Sequence, residues 1–345
     1  MSDVIGRMVR GACMLFLAAA TPALADPVED FYKGKTLEMI IPASAGGDYD
    51  IRGRLLARHL PRFIPGKPTI VARNMPGGIG IAAANHMTKV APRDGTSLHI
   101  IFQNMPSLQA IATQGVDFDV RKFGWIGNTT NSPNVITAWH TTGIKTIQDA
   151  MERELVVGAP GAASTSYIYP AAMNQLAGTK FKIVTGYPGG NDVNLAMEKG
   201  EVGGRGSNSW ASWKSGHPHW IAEKKIYNLV QIALERAPDL PDIPLMLEMA
   251  RNDEDRQVLT FLSADMGISR AFVTTPGVPA ERLAALRSAF EQLMKDPEFV
   301  AEAARAKMDI VPSSGEAAQK IAESMLANTP RVLQRAKAII EGGGK

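Results

Sequence analysis

Residues 40–60 constrain the fold most, because they combine in order an apolar strand, a glycine loop and an amphipathic helix. The loop contains Gly46 and Gly47, and glycine lets the backbone approach a bound group closely. The first N–H groups of a helix lack intrahelical partners and point towards such a loop. The segment therefore predicts an α/β unit with either an anion-binding loop or a plain turn in which Asp50 caps the helix.

The alternation of strand and helix patterns continues through the first half of the chain and predicts an α/β fold. Apolar segments predict strands at 36–41, 69–72, 97–102, 125–126, 135–139, 155–158 and 181–185. Apolar residues at three- and four-residue spacing predict helices at 50–60, 79–90, 147–153 and 166–177. After residue 278 the pattern predicts a C-terminal helical cap with helices at 279–295 and 315–341.

The first 25 residues have the features of a signal peptide. Arg7 and Arg10 precede the short apolar run 13–20, and a small-residue Ala-Leu-Ala site ends at Ala25. The run is too short for a transmembrane helix, so we expect cleavage after Ala25 and a periplasmic protein. Cleavage removes Cys13, the only cysteine, and excludes disulfides and thiol chemistry from the mature chain.

The charge of the chain does not indicate a nucleic-acid-binding protein. Lys plus Arg number 37 and Asp plus Glu 34, a formal net charge of +3, without a clustered basic run. The 320 residues after the signal peptide suffice for two domains. Because no linker or tandem repeat divides them, we expect two lobes between which the chain crosses more than once.

Two glycine segments resemble nucleotide motifs but lack their context. Residues 78–83 satisfy a relaxed dinucleotide pattern, but residues 73–77 separate them from the preceding strand, and no acidic residue ends a second strand ~20 residues later. Residues 34–36 lack the first glycine of a phosphate-binding loop, because Glu29 occupies that position. We therefore expect no nucleotide cofactor.

The segment 161–166, Gly-Ala-Ala-Ser-Thr-Ser, is a second candidate site. Ser164 and Ser166 suggest a nucleophile, but the Gly-x-Ser-x-Gly pattern is absent and no histidine is obviously paired with them. Short hydroxyl side chains at a helix start donate to anions and also cap the helix. The segment predicts anion binding or simple capping, with an exported α/β hydrolase as a rival.

Residues 203–220 contain the remaining chemical candidates. Arg205 stands among glycines, where it either clamps a carboxylate or is simply exposed. His217 and His219 lack a nearby carboxylate or third histidine, so we predict exposed side chains and no metal site. Three tryptophans form either a pocket wall or lobe core: Trp210, Trp213 and Trp220.

Four segments together resemble the periplasmic substrate-binding proteins of tripartite tricarboxylate transporters, the Bug-type receptors. They are residues 40–57, 74–78, 91–98 and 240–244. The likeness extends over nearly the whole mature chain. In it, residues 161–166 match the second ligand loop of the family, and Tyr187 matches a tyrosine–glycine turn.

The resemblance implies a two-lobed, type II periplasmic-binding-protein-like α/β fold with the ligand cleft between the lobes. Residues 26–124 with about 255–345 would form lobe 1, and residues about 125–254 would form lobe 2. The implied function is capture of a small organic carboxylate and its delivery to a permease with large and small integral membrane subunits. The receptor would be a monomer without enzymatic activity, cofactor or nucleic-acid partner. A sensor for a signalling partner is the alternative.

The resemblance also implies that backbone N–H groups of the two loops hold the carboxylate, helped by hydroxyl groups and water. Residues carried over from the family are Ser44, Ala45, Gly46, Gly47, Asp50, Gly161, Ala162, Ala163, Ser164 and Thr165. To these we add Asp48, Tyr187 and Arg205 as ligand-binding candidates. The chain departs from the family pattern at Ala45 for proline, Ala163 for glycine and Tyr167 for histidine. Asp48 adds a carboxylate that either receives a ligand hydroxyl or ammonium group or faces solvent.

Overall fold

The computed structural model describes residues 26–342, which form two mixed sheets covered by helices. The strands are β1 (Thr36–Ile41), β2 (Thr69–Asn74), β3 (Ser97–Ile100), β4 (Gly124–Asn128), β5 (Asn134–Trp139), β6 (Leu155–Gly158), β7 (Phe181–Val184), β8 (Gly204–Ser209), β9 (Ile226–Ile232), β10 (Ala271–Thr274) and β11 (Ser313–Ser314). The α-helices are α1 (Pro27–Tyr32), α2 (Asp48–His59), α3 (Ile81–Lys89), α4 (Met105–Ala110), α5 (Ile147–Glu152), α6 (Thr165–Leu176), α7 (Gly190–Glu198), α8 (Trp210–Gly216), α9 (Pro218–Ala222), α10 (Asp253–Ser263), α11 (Ala280–Leu293), α12 (Pro297–Arg305), α13 (Gly315–Leu326) and α14 (Pro330–Gly342). The predicted signal peptide lies outside the described residues.

The first sheet has the strand order β11-β4-β10-β3-β1-β2. Strand β1 pairs in parallel with β2 and β3, and β10 runs antiparallel between β3 and β4. The apolar side chains of Met39, Ile40 and Ile41 are fully buried and fix β1 in this sheet. Because parallel strands end at the same edge, the loops after β1 and β2 meet there.

The second sheet has the order β7-β6-β8-β5-β9, with β8 at its centre. Strand β6 is parallel to β7 and β8, whereas β5 is antiparallel to β8 and β9. The chain passes from the first sheet to the second at residues 129–133 and returns at 233–270. This two-lobed arrangement confirms the predicted fold class. Strand β4 pairs in the first sheet, although the sequence prediction placed residues 125–128 in lobe 2.

The predicted strands agree with the observed ones within two residues, but β8 to β11 were not predicted. The sequence of β8, Gly-Arg-Gly-Ser-Asn-Ser, is typical of a loop. Its glycines permit close packing, since a β-carbon at Gly206 would lie 1.9 Å from the backbone oxygen of Ser166. Helix α6 therefore packs directly on β8 and brings two polar segments together.

The C-terminal helices connect both lobes. The predicted helix at 315–341 is two helices, because Pro330 begins α14 after a break. Helix α13 packs against β4 and α4 of the first lobe, whereas α14 packs against α6 and α10. One apolar core extends through both lobes and includes Trp125, Ile136, Tyr169 and Ala336. No helix within residues 26–342 has the length and apolar character needed to cross a bilayer.

Candidate ligand-binding cleft

A cleft of about 1130 Å³ separates the two sheets. The first lobe lines it with residues 42–49, 76–79, 102–104 and Arg270. The second lobe lines it with residues 164–166, 187–192, Asn194, Arg205, 207–209 and His217. Of the predicted site residues, the cleft brings together Ser44, Ala45, Gly46, Gly47, Asp48, Ser164, Thr165, Tyr187 and Arg205.

The first loop places the beginning of α2 at the cleft. The helix starts at Asp48 and its N-cap is Gly47, so the predicted cap at Asp50 is wrong. The N–H groups of Asp48 and Tyr49 lie in the first turn, where a helix offers no acceptor. They are available to an anion, as the resemblance implies.

Asp50 lies behind the loop and is not among the residues that line the cleft. Its carboxylate accepts hydrogen bonds from the Gly46 N–H at 2.9 Å, Arg54 Nε at 2.9 Å and Asn74 Nδ2 at 2.8 Å. The N–H of Gly46 is therefore already paired within the protein, and the ligand role of Gly46 and Asp50 stays a prediction. The role of Asp50 is to hold the loop, with Gly46 at a φ of +82°.

Asp48 is paired within the protein instead of facing solvent. Its buried carboxylate lies 3.4 Å from Arg52 Nη2 and 2.5 Å from Arg270 Nε. Burial favours the neutral acid, but the charges of Arg52 and Arg270 outweigh burial and lower the pKa of Asp48 to about 2. The carboxylate is thus ionised and already has two cationic partners.

Arg270 is the main cleft residue that sequence reasoning missed. Its Nη1 donates to the Ser269 backbone oxygen at 2.6 Å and lies 3.2 Å from Tyr49 Oη and from Gln103 Oε1. The guanidinium also covers the Tyr49 ring at 4.1 Å from its centroid. No local motif marks Arg270, because its partner Asp48 lies 222 positions earlier in the chain.

The second loop presents hydroxyl groups whose protons are already engaged. Ser164 Oγ donates to the Gly161 backbone oxygen at 2.6 Å and does not cap α6, whereas Ser166 Oγ donates to the Ser207 backbone oxygen at 2.9 Å. Within residues 26–342, neither hydroxyl contacts a histidine or carboxylate. Among the described residues, no general base is therefore placed beside the hydroxyl group of Ser164 or Ser166.

Residues 161–163 lie beside the cleft, where the two lobes touch, and do not line it. The backbone oxygen of Ala163 accepts a hydrogen bond from Asn104 Nδ2 of the first lobe at 2.8 Å. A β-carbon at Gly161 would lie 3.4 Å from the Ile79 side chain. The predicted ligand role of Gly161, Ala162 and Ala163 stays a prediction, and the contacts give these residues a place between the lobes.

Arg205 is half-buried in the cleft and is not the simply exposed arginine of one sequence interpretation. Its Nη1 donates to Asn194 Oδ1 at 2.9 Å, and its guanidinium lies 5.6 Å from the centroid of Trp213. A β-carbon at residue 190 would lie 2.2 Å from Nη2, so Gly190 makes room for the cation. Burial and then the charge of Arg270 lower the pKa of Arg205 to about 10, which keeps it protonated at neutral pH.

Unpaired buried polar atoms gather at the second-lobe wall. Within residues 26–342, no hydrogen-bond partner reaches Arg205 Nε, Ser209 Oγ or Asn134 Oδ1. All three residues line the cleft. Because buried polar groups are almost always paired, such a cluster indicates a place for a polar ligand or water.

The aromatic and histidine candidates divide between core and cleft. The three tryptophans belong to an apolar core of the second lobe, as one sequence interpretation proposed. His219 is exposed as predicted, but His217 is half-buried in the cleft, 4.2 Å from the Trp220 ring between centroids. Burial and the charge of Arg205 lower the pKa of His217, so the imidazole is neutral at pH 7.

Neither of these histidines belongs to a group able to hold a metal within the described residues. The one such group there comprises His59, Asp296 and Glu298, outside the cleft. Arg62 forms ion pairs with both carboxylates. The cation of Arg62 therefore already occupies carboxylate oxygens that a metal ion would need.

Comparison with known proteins identifies the family. The model of the tripartite tricarboxylate transporter family receptor matches residues 56–341. A UPF0065 protein of Bordetella bronchiseptica is 26% identical over 327 residues, which cover 90% of this chain and 88% of that protein.

Solved structures show the same fold. The periplasmic binding protein BugD superposes with a TM-score of 0.68 at 17% identity, covering 91% of this chain and 99% of BugD. The MatC protein of Rhodopseudomonas palustris with bound malate has a TM-score of 0.67 at 19% identity, covering 89% and 99% of the two chains. The chain described here belongs to the tripartite tricarboxylate transporter receptor family, and it has the predicted periplasmic-binding-protein fold.

Proposed function

We propose that this protein is a periplasmic receptor that captures a small organic carboxylate and delivers it to a tripartite membrane permease. The cluster of unpaired buried polar atoms on the cleft wall, with the cation Arg205 among them, carries the proposal. Charge-assisted hydrogen bonds contribute about 1.5–3 kcal/mol each. Four or five of them suffice for the roughly −8 kcal/mol of a micromolar complex after association costs.

The proposed site combines both lobes. Lobe 1 comprises residues 26–128 with about 271–326, and it offers the loop 44–48 and the first N–H groups of α2. Lobe 2 comprises about 134–232 with α14 packed against it, and it offers Thr165, Tyr187 and Arg205. The ligand would bind between them, and closure of the lobes would exclude water from it.

Family membership supports the permease partner and the periplasmic location, together with the signal peptide expected from residues 1–25. The malate of the R. palustris relative supports a carboxylate ligand. The occupied hydroxyl protons of Ser164 and Ser166 support binding without catalysis. We propose that the receptor acts as a monomer.

A thermal-shift screen of mono-, di- and tricarboxylates, aromatic acids and amino acids tests the ligand class. A ligand at 100 times its dissociation constant adds about 2.7 kcal/mol to the free energy of unfolding. We expect a carboxylate to raise Tm and the matching amide to leave it unchanged. The proposal fails if no carboxylate raises Tm. Loss of uptake on deletion of the permease subunits then separates transport from sensing.

A further inference from the structure

We propose that Arg205 and Arg270 hold one anionic group of the ligand between them, and that their repulsion resists closure of the lobes until this group binds. The inference rests on the proposed function and names the part of the ligand that couples binding to closure.

The two arginines come from opposite sides of the cleft. Arg205 lies on β8, the central strand of the second sheet, whereas Arg270 directly precedes β10 of the first sheet. Both line the same cleft. A group that contacts both side chains therefore connects the two lobes directly.

Each guanidinium is held by the protein on one side and keeps N–H groups for another partner. Arg270 uses Nε for Asp48 and Nη1 for its other contacts, and within residues 26–342 no acceptor reaches Nη2. Arg205 uses Nη1 for Asn194, and no described residue accepts from Nε or Nη2. At Arg205, Nε and Nη2 form a pair of donors that matches the two oxygens of a carboxylate, and Nη2 of Arg270 adds a further donor to the same group.

Positive charge is in excess around the pair. Asp48 is shared by Arg52 and Arg270, so one carboxylate faces two cations. Among the described residues no carboxylate pairs with Arg205. The acidic residues that line the second-lobe side, Asp192 and Glu198, are exposed, where water and salt screen their charge.

The charges also act on each other across the cleft, since the charge of Arg270 is one cause of the lowered pKa of Arg205. Closing the lobes removes water and strengthens this repulsion. An anion placed between the guanidinium groups reverses the sign of the interaction. The structure thus favours closure on anionic ligands and opposes closure on neutral ones of the same shape.

The first experiment measures affinity with malate and adipate as probes and adipamide as their neutral counterpart. We expect Arg205→Gln to weaken malate binding by at least about tenfold. We expect Arg205→Lys to weaken it less, because lysine keeps the positive charge but lacks the two parallel N–H donors of the guanidinium group. Lys182→Gln is the matched control, since Lys182 is exposed on β7, outside the cleft, and its loss changes the charge of the same lobe. Calorimetry supplies the affinities, and adipamide is expected not to bind.

The second experiment measures the distance between the lobes without added ligand. Spin labels are placed at exposed positions, Val71 in the first lobe and Lys199 in the second, in the cysteine-free mature chain. We expect Arg205→Gln to shift the population towards shorter distances than in wild type, whereas Arg205→Lys and Lys182→Gln do not.

The two experiments separate the inference from the proposed function. An unchanged distance distribution in a folded Arg205→Gln protein, or wild-type malate affinity in that variant, overturns the inference while the receptor function stands. Failure of every carboxylate to bind wild type overturns the proposed function, and the spin-label distances still test the repulsion.

Discussion

Asn104 of the first lobe donates a hydrogen bond to the backbone oxygen of Ala163 in the second lobe at 2.8 Å. Asn104 is the N-cap of α4 and also lines the cleft. The bond joins the two lobes beside the second ligand loop. Because its donor and acceptor lie on different lobes, we expect this bond to break when the lobes separate and to stabilise the arrangement in which they are close.

Asn104→Ala is therefore expected to weaken ligand binding about three- to tenfold, the effect of losing roughly one hydrogen bond. Asn85→Ala is the matched control, because Asn85 Nδ2 donates to the Gly115 backbone oxygen within the first lobe. Calorimetry on both variants measures the difference. Equal affinities in the two variants would show that the bond between lobes does not contribute to closure.

Substitutions at the two loop glycines, Gly46 and Gly47, are expected to have different effects, one on stability and the other on ligand binding. Gly47 has a φ of −86°, which any residue adopts, and a β-carbon there would lie 4.0 Å from its nearest neighbour, the Ser44 backbone oxygen. The Gly47→Val variant is therefore expected to fold normally, with its new side chain occupying space in the cleft. We expect loss of detectable binding with an unchanged Tm. Gly46 has a φ of +82°, so Gly46→Ala costs about 1 kcal/mol of stability. Wild-type affinity in folded Gly47→Val would place the ligand elsewhere.

Asp48→Asn is expected to destabilise the fold, because it leaves Arg52 and Arg270 buried without their counter-ion. Breaking a buried pair from one side costs about 3–5 kcal/mol. Urea unfolding at pH 7 measures the loss. Asp119→Asn is the control, since the pKa of Asp119 is also lowered to about 2 but its partner Arg121 is exposed, and we expect a much smaller effect.

The pH dependence of the Asp48 contribution follows from the sign of its shift. The pKa is lowered from about 3.9 in an unfolded chain to about 2 in the fold, so the contribution is fully present above pH 4. It disappears as the pH falls from about 4 to about 2. The difference in stability between wild type and Asp48→Asn is therefore expected to shrink over that range, and a constant difference would contradict the assignment.

The carboxyl group of Asp265 is expected to make the free energy of unfolding depend on pH in the opposite direction. Burial raises the pKa of this carboxyl well above its ordinary value. Ser107 Oγ lies 3.0 Å from both Asp265 Oδ2 and the Asn104 backbone oxygen. Because the backbone oxygen only accepts, the single hydroxyl proton goes there and a protonated Asp265 donates to Ser107.

In the folded protein Asp265 therefore keeps a proton that it releases in the unfolded chain above about pH 4. The free energy of unfolding consequently falls as the pH rises from about 4 towards the raised pKa of Asp265. We expect Asp265→Asn to be more stable than wild type at pH 8 and nearly equal to it at pH 4, because the amide donates without ionising. Thermal unfolding at both pH values measures this. A variant that is less stable at pH 8 would contradict a neutral Asp265.

The sequence predicted the parts of the fold with regular apolar patterns and missed those shaped by contacts between distant residues. Strands β1 and β6 have their predicted bounds because apolar side chains fill them. Strand β8 was missed because its sequence lacks an apolar pattern. Its glycines, Gly204 and Gly206, allow close packing, and its polar residues 207–209 line the cleft.

The candidate site was predictable where it depends on loops and helix starts. Gly47, Asp48 and Ser164 line the cleft, and their role in ligand binding stays a prediction. The partners of Asp48 were not predictable, since Arg270 reaches it from a segment 222 residues later. From the sequence, Asp48 was expected to receive a ligand hydroxyl or ammonium group or to face solvent, whereas in the fold it pairs with Arg52 and Arg270.

The break before Pro330 has a mechanical consequence. Helix α13 packs on the first lobe and α14 on α6 of the second, so residues 327–329 form a third tether beside the segments 129–133 and 233–270. Two bodies joined by three tethers bend about one axis but resist twisting about the line between them. We therefore expect the lobes to separate by rotation about one hinge axis and to come back to the same relative position when they close.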